Sequence, residues 1–314
     1  MNRFMTSPDT PWTPPEIPAT IPHGDMPGDS IQIDAHHVGK ANVIFPALRP
    51  LLAPLLEQNP HNRAVIAICG GSGVGKSETA SLLAHYFRQA GIGSYTLSGD
   101  NYPHRIPRYN DAERLRIFRQ AGMRGLVQNG LYTAQRGEAA RGFQQEDRDA
   151  DPVLTAGHPW MAVYQREGRA ALAAYLGSPT EIGFDELNGI VSQFKNGADT
   201  LFLKRMGREE TALWYEAVDF SGTHILLIEW THANSGYLHG VDVPVLLNST
   251  PAETLAHRRA RHRDGGTDSP FTTMVLALEQ RQLEAQAEKA KLIVSKSGTL
   301  LSYAQYRKTM AEEA

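Results

Sequence analysis

The glycine-rich segment GGSGVGKS, residues 70–77, constrains this chain more than any other feature of its sequence. It matches the pattern G-x-x-x-x-G-K-[ST] and directly follows an apolar run, AVIAIC, at 64–69. Apolar residues at helical spacing then occupy 78–90 and stop at Gly91. A strand, a glycine-rich turn and a helix in this order predict a phosphate-binding loop, because the backbone N–H groups and the helix N-terminus face the anion.

The same motif predicts individual contacts to a nucleoside triphosphate. Lys76 would neutralise the β- and γ-phosphates, and Ser77 would bind Mg²⁺. ATP and Mg²⁺ are therefore the predicted cofactors. The predicted nucleotide contacts are Gly71, Ser72, Gly73, Val74, Gly75, Lys76, Ser77 and Glu78. A glycine-rich turn without a ligand would account for the glycines but not for the Lys-Ser pair.

Composition excludes several classes of partner. The net charge of the 314 residues is −3, so no basic field favours nucleic acid. The single cysteine, Cys69, rules out an intrachain disulfide and a zinc cluster of thiolates. No apolar stretch is long enough to span a bilayer, and the N-terminus lacks the pattern of a signal peptide. We therefore expect a cytoplasmic protein without nucleic-acid or membrane partners.

The first 40 residues form a distinct segment. Seven prolines fall within the first 27 positions, which predicts an extended arm that would wrap the domain or a neighbouring subunit, with a homodimer as one outcome. A disordered tail is the alternative. Residues 41–314 are assigned to one P-loop domain. It opens with a helix, Val43 to Gln58, that Pro46, Pro50 and Pro54 are expected to interrupt.

Four further apolar runs look like buried parallel strands, because they are hydrophobic almost throughout instead of alternating. They lie at 94–98, 224–228, 243–247 and 291–294, with helical segments between them. The predicted fold class is α/β, a three-layer P-loop NTPase fold with a mainly parallel sheet of roughly five strands. The long segment 101–222 is interpreted as a helical, acceptor-binding insertion.

Two acidic residues follow predicted strands at the edge where ligands bind in such sheets. Asp100 comes after the second strand, where it would accept the proton of an attacking hydroxyl or hold Mg²⁺ through water. Glu229 ends the next strand, where it would reach the Mg²⁺ sphere. Together with Ser77 they form the predicted metal set. A turn-forming role for Asp100 is the alternative.

A cluster of arginines marks residues 252–270 as a candidate lid. Arg258 and Arg261 share a helix face at i, i+3 spacing and would converge on the transferring phosphate. The glycine pair at 265–266 would supply the hinge. A solvated, arginine-rich surface is the alternative interpretation.

The order GGSGVGKS, GDNYPHR, LLIEWTH and an arginine-rich helix resembles the phosphoribulokinase and uridine kinase family, to which bacterial pantothenate kinase is related. The resemblance covers about 62–105 and 222–297. It implies that Asp100 is the catalytic aspartate, that Glu229 is the acid of the family's E-G motif, and that Arg258 and Arg261 are lid arginines. His232 is similar in placement to the histidine of the phosphoribulokinase E-G-L-H segment.

The chain also departs from this family. Trp230 stands where the family carries glycine, and would place a bulky ring where the sheet edge is normally open. The spacing after Asp100 matches neither family pattern, so the motifs do not name ribulose 5-phosphate or uridine as acceptor. The predicted acceptor contacts are Tyr102, His104, Arg105 and His232. Arginine there would hold an anionic acceptor, and aromatic rings would stack on a sugar or a base.

These features favour an ATP- and Mg²⁺-dependent kinase that phosphorylates a hydroxyl of a small molecule, with a sugar, polyol or sugar phosphate ahead of a nucleoside. The predicted catalytic residues are Asp100, Lys76, Arg258 and Arg261. The alternative is a P-loop ATPase or GTPase that acts as a switch or chaperone without a small acceptor, although no N-K-x-D guanine motif is present. A polynucleotide kinase would need a basic channel, which the net charge argues against.

Overall fold

A computed structural model describes residues 12–250, 252–255 and 269–313. Within them, six strands form the main sheet: β1 Ala64–Gly70, β2 Ser94–Ser98, β5 Ile225–Glu229, β6 Val243–Leu247, β7 Leu292–Val294 and β8 Leu300–Leu301. Their order across the sheet is β2-β5-β1-β6-β7-β8. All pair in parallel except β8, which is antiparallel to β7. The five predicted strands are therefore present, extended by one short strand at the edge.

The register of the sheet places the ends of three strands side by side. Ser98 at the end of β2 pairs with Glu229 at the end of β5, and Glu229 also pairs with Ile68 near the end of β1. Gly70, the last residue of β1, pairs with Leu247 at the end of β6. Polar side chains that follow these strands therefore meet at one edge, as in other parallel α/β sheets.

Helices cover both faces of the sheet. On one face, α1 Ala35–Gln58 and α2 Lys76–Gln89 pack against alternate strand residues such as Ile66 and Ile68. The other face buries Val65 and Ala67 with apolar residues of later segments. Those segments include α7 Phe184–Lys195, α8 Pro270–Gln286 and α9 Tyr303–Glu313. This arrangement is the predicted three-layer α/β fold.

Helix α1 differs from the prediction in its start and in its continuity. It begins at Ala35, because the Asp34 side chain accepts hydrogen bonds from the backbone N–H groups of His36 and His37. Residues 35–40 are therefore helical and do not belong to an arm. The three internal prolines do not break the helix, which runs continuously through them, with Pro50 and Pro54 on its exposed side.

Residues 12–34 pack on the domain of their own chain. The Trp12 ring lies 5.4 Å from those of Phe45 and Tyr86, and Ile21 is buried in the same core. The Glu16 carbonyl lies 3.0 Å from His85 Nε2. This segment is therefore an ordered strap across α1 and α2.

The insertion after β2 contains more than helices. It comprises α3 Pro107–Gln128, α4 Ala134–Gln145, α5 Leu154–Gly157 and α6 Met161–Tyr175, followed by α7. Phe118, Leu126, Met161 and Tyr164 give it a small core of its own. An antiparallel hairpin, β3 Thr200–Met206 and β4 Leu213–Asp219, then follows α7. The insertion predicted as helical at 101–222 thus contains a two-stranded hairpin in addition to its helices.

Among the described residues, no helix is both long and apolar enough to cross a membrane.

Candidate phosphate-binding and catalytic site

The loop between β1 and α2 is held by residues of α1. The buried Lys40 ammonium donates to the Val74 carbonyl at 2.9 Å. Gly75 has a positive φ of 90°, and a Cβ there would lie 2.5 Å from His37 Cδ2. Lys76 Nζ donates to the Gly71 carbonyl at 3.0 Å, so the lysine lies across the loop. No motif marked Lys40 and His37 for these roles, since neither residue lies in the loop pattern.

Glu229 is the centre of the strand-end site. Its Oε2 accepts a hydrogen bond from Ser77 Oγ at 3.1 Å, and its Oε1 accepts one from Ser98 Oγ at 2.6 Å. Burial, together with the nearby Asp100 carboxylate, raises the pKa of Glu229 to about 8. The carboxylates of Glu229 and Asp100 and the hydroxyl groups of Ser77 and Ser98 thus lie together near Lys76. The positive charge of Lys76 acts in the opposite direction and lowers the pKa of Glu229.

The oxygen groups at this edge fit Mg²⁺. Carboxylate and hydroxyl oxygens are the ligands this hard cation takes, and it usually binds through one or two carboxylates and the substrate phosphates. A buried carboxylate whose negative charge is disfavoured is also a position where a cation would relieve the electrostatic cost. Ser77 and Glu229 would hold the ion, with Asp100 close by.

Asp100 lies exposed on a short 3₁₀ turn, Gly99–Asn101, directly after β2. Gly99 packs directly on the Trp230 indole, and a side chain at that position would overlap the ring. Trp230 is buried, 5.8 Å from the Phe184 ring, so it does not fill an open sheet edge as predicted. Gly99, which precedes Asp100, therefore leaves the space that the Trp230 ring occupies after Glu229.

Asp25, in the strap before α1, also contacts this turn. Its carboxylate is buried and accepts from the backbone N–H of Ser98 and from the Asn101 side chain. Burial raises its pKa, which the adjacent Arg205 guanidinium opposes. Sequence analysis missed this residue, since nothing in the proline-rich segment marks one acid among the others.

A cluster of charged side chains lies between the insertion and α8, and Lys76 lies close enough to lower the pKa of Glu279 within it. Arg114 Nε donates to Glu181 at 2.6 Å, and Arg114 also lies 3.8 Å from Glu279 of α8. Glu181 accepts further hydrogen bonds from Asn110 Nδ2 and from the Gly177 N–H. Burial raises the pKa of Glu279, and Arg114 and Lys76 oppose this rise. These residues also carried no sequence signal, because they come from three separate segments.

The four predicted acceptor contacts have different surroundings. Tyr102 is completely buried and packs in the core, so its assignment as an acceptor contact is corrected to a packing role. His104 Nε2 lies 2.9 Å from the Pro179 carbonyl, and Arg105 donates to the Tyr175 hydroxyl and lies 3.7 Å from Glu113.

His232 is buried, and its ring centre lies 5.0 Å from that of Trp230. Burial lowers its pKa to about 4, with Arg114 and Lys76 adding to the effect and Glu181 opposing it. Its imidazole is therefore neutral at physiological pH and lies within the electrostatic influence of the charge cluster around Arg114.

Other predicted residues are placed as follows. Glu78 is buried in the first turn of α2, where an acid is favourable for the helix dipole. Arg258, Arg261 and the hinge glycines of the candidate lid lie outside the described residues.

A cavity of about 440 Å³ lies beside the loop. Its walls come from the first turn of α1, the loop at Gly73 and Val74, the segment after β6, the 295–297 turn and α9. Lys76, Ser77, Asp100 and Glu229 do not line it, so the cavity is next to the strand-end site and separate from it. Its volume is sufficient for a purine base.

Comparison with known proteins gives one close sequence relative. No protein-family model matches the chain. The chain is similar to the bifunctional alpha-galactosidase/sucrose kinase AgaSK of Mediterraneibacter gnavus, with 41% identity over 244 residues. The match spans 78% of this chain and 21% of that protein, so the chain spans about a fifth of its relative's length. The kinase in its name agrees with the resemblance drawn from the motifs.

The extent of this match fixes which residues it includes. The chain has 314 residues, so a continuous match of 244 must contain residues 71–244 wherever it begins. The phosphate-binding loop from Gly71 onward, Asp100, Glu229 and His232 therefore all fall inside the related region.

Two solved structures match the chain at low sequence identity and with low TM-scores. A possible uridine kinase from Bacillus stearothermophilus has a TM-score of 0.42 and 15% identity, covering 79% of this chain and 98% of that chain. A provisionally assigned fructose transport system kinase from Silicibacter sp. TM1040 has a TM-score of 0.41 and 14% identity, covering 73% and 94%. The fold assignment rests on the strand order and the loop described above.

Proposed function

We propose that this chain, a P-loop protein related in sequence to a segment of a bifunctional sucrose kinase, is a kinase that transfers the γ-phosphate of ATP to a hydroxyl of an uncharged sugar. The observation that carries the proposal is the strand-end site, where Ser77, Ser98 and Glu229 are hydrogen-bonded beside Lys76 and Asp100. Phosphoryl transfer needs mainly positioning and neutralisation of charge, which is what these groups supply.

Each residue of the site would have a distinct role. Lys76 and the loop N–H groups would hold the β- and γ-phosphates, and the base would occupy the cavity beside the loop. Ser77 and Glu229 would hold Mg²⁺, which would supply positive charge to the phosphate oxygens. Asp100, exposed at the end of β2, would orient the acceptor hydroxyl and accept its proton.

The charges of the insertion favour an uncharged acceptor over a sugar phosphate. Arg114 faces Glu181 and Glu279, with Asp111 at 3.6 Å, so its positive charge is already balanced by carboxylates. Arg105 is likewise close to Glu113. Carboxylates accept hydrogen bonds from sugar hydroxyls but repel phosphate. The name of the sequence relative makes sucrose the first sugar to test.

The test is ADP release with ATP and Mg²⁺ across sucrose, its component hexoses, hexose phosphates and uridine, with the product identified by mass. We expect kcat/KM for one neutral sugar to exceed that for every phosphorylated sugar by about 100-fold or more. Asp100→Asn should lower kcat by roughly 10²- to 10⁴-fold, the range typical for general base catalysis.

Asp185→Asn is the matched control, because Asp185 is an exposed acid of α7, and its activity should equal that of wild type. Steady ATP turnover that needs no acceptor and survives Asp100→Asn would instead identify an ATPase or switch. A preference for sugar phosphates would leave a kinase but overturn the acceptor assignment. The homodimer and the cytoplasmic location remain predictions from the sequence.

A further inference from the structure

The carboxylate of Asp25 contacts the turn of Asp100 on both sides of that residue. Its Oδ1 accepts the backbone N–H of Ser98 at 2.7 Å and the side-chain N–H of Asn101 at 3.1 Å. Asp100 lies between these two residues and within the 3₁₀ turn. A displacement of Asp25 would therefore release the turn at both of its ends.

The second oxygen of Asp25 joins the turn to the hairpin. Oδ2 accepts from the Tyr95 hydroxyl at 3.0 Å and from Arg205 Nη1 at 2.9 Å. The Asn101 side chain completes the link, since its Oδ1 accepts the Met206 N–H at 2.9 Å. Both Asp25 and Arg205 are less than 10% exposed, so this ion pair is shielded from solvent.

The position of β2 explains why such an acid is needed. It is the end strand of the sheet, paired only with β5 within the described residues. The Ser98 N–H points away from β5 and would lack a strand partner, and Asp25 provides the acceptor. A residue of the N-terminal strap thus replaces the missing neighbouring strand at the point where the catalytic turn begins.

We propose that Asp25 is a positioning residue for phosphoryl transfer, which acts by holding the 98–101 turn so that the Asp100 carboxylate stays beside the phosphate-binding loop. The inference rests on the proposed kinase function. Its physical reason is geometric: a misplacement of about 1 Å in a reacting group costs on the order of 100-fold in rate. Supporting side chains that are themselves locked by hydrogen bonds provide the required precision.

Asp25→Asn is the direct test, because it keeps the shape of the side chain but places an amide N–H₂ against the N–H and O–H donors around it. We expect kcat for the sugar to fall roughly 10- to 100-fold, while the KM for ATP changes less than about threefold, since the Asp25 carboxylate is hydrogen-bonded to Tyr95, Arg205 and the 98–101 turn. Glu16→Gln is the matched control, an exposed acid of the same strap, and should behave as wild type.

A double-mutant cycle with Asp100→Asn separates positioning from a general structural effect. If Asp25 acts through Asp100, then Asp25→Asn should lower the single-turnover rate less than about threefold in the Asp100→Asn background. Equal losses in both backgrounds would overturn the inference, as would an unchanged kcat in a folded Asp25→Asn protein. A wild-type protein that phosphorylates no sugar would overturn the proposed function first, and this inference with it.

Tyr95→Phe provides a milder variant in case Asp25→Asn does not fold. It removes one hydroxyl donor to Asp25 and keeps the ring, which packs 5.1 Å from Phe220. We expect a loss in kcat of about two- to fivefold that disappears in the Asp100→Asn background. A loss that persists there, or no loss, would again contradict a positioning role.

Discussion

At the scale of single residues, His232 shows how the surroundings set the chemistry of a side chain. The sequence resemblance suggested it as an acceptor contact, and the structure places it against Trp230 and near Arg114, where it stays neutral. A neutral imidazole both donates and accepts one hydrogen bond, which suits a sugar hydroxyl better than a phosphate. The residue therefore agrees with an uncharged acceptor.

The lowered pKa of His232 is expected to make the stability of the protein depend on pH. Its folded pKa, about 4, lies below its ordinary value of 6.5, so the unfolded chain takes up the proton first as the pH falls. The contribution of His232 to stability is fully present above pH 6.5 and is lost as the pH falls towards 4. The loss should be roughly 2 to 3 kcal/mol between pH 7 and 4.5.

Urea unfolding of wild type and His232→Asn at both pH values measures this contribution. The wild type should lose roughly 2 to 3 kcal/mol more than the variant over this range. His239→Asn, at an exposed histidine nearby, should keep the wild-type slope. Parallel slopes for all three proteins would contradict the neutral, buried state of His232.

The arrangement of the site was predictable from sequence only where a motif or a strand end marks a residue. The loop spacing marked Lys76 and Ser77, and the strand ends predicted that Asp100 and Glu229 lie close together, as they do in the structure. The roles of these residues in catalysis and metal binding stay predictions. Asp25 and Lys40 could not be found, because their partners are backbone or side-chain groups many positions away in the chain. A hydrogen bond of this kind leaves no periodicity in the sequence.

At the scale of elements, the parallel strands of the main sheet were predictable and the hairpin strands were not. The runs 94–98 and 243–247 were predicted with their observed ends. The second run is apolar throughout, because β6 pairs with a strand on each side and is almost entirely buried. Strand β4 is exposed along nearly its whole length, so it shows no alternation of apolar and polar residues. The start of α1 was missed because His36, His37 and Gly39, which follow Asp34, obscure the helical pattern.

A substitution in helix α1 is expected to weaken nucleotide binding while the phosphate-binding motif stays unchanged. Lys40→Met removes the buried ammonium that donates to the Val74 carbonyl and keeps the length of the side chain. A hydrogen bond from a charged group contributes about 1.5–3 kcal/mol, so the KM for ATP should rise roughly tenfold. The KM for the sugar should stay unchanged.

Initial rates over a matrix of ATP and sugar concentrations measure both constants. Lys291→Met, at an exposed lysine before β7, is the matched control and should leave both at wild-type values. An unchanged KM for ATP in Lys40→Met would show that the loop keeps its shape without this helix.

At the scale of the whole molecule, the N-terminal strap belongs to the domain. Trp12, Ile17, Ile21, Ile31 and Ile33 all pack on the core shared by α1, α2 and the sheet. A chain that begins at Asp34 would expose this face, since it keeps the cap of α1 but loses those five side chains. We expect it to lose roughly 5 kcal/mol of stability, equivalent to at least about 10 °C in Tm.

Thermal melting with size-exclusion chromatography tests this expectation and also reports the oligomeric state. Trp12→Ala should give a smaller loss in the same direction, because it removes one ring from the same contact. An unchanged Tm in the shortened chain would contradict a structural role for the strap. A change in elution volume without a change in Tm would place the strap in an assembly contact instead.

The strand order has a consequence for how the chain is made. β1 is synthesised well before its partners β5 and β6, whose first residues follow its own by about 160 and 180 positions. Contacts so distant in sequence form late, whereas α3 and α6 of the insertion contact each other locally. During synthesis, the insertion is therefore expected to become compact before β1 and the phosphate-binding loop have their partner strands. The apolar β1 would stay exposed during this time, and an exposed apolar strand is prone to aggregation.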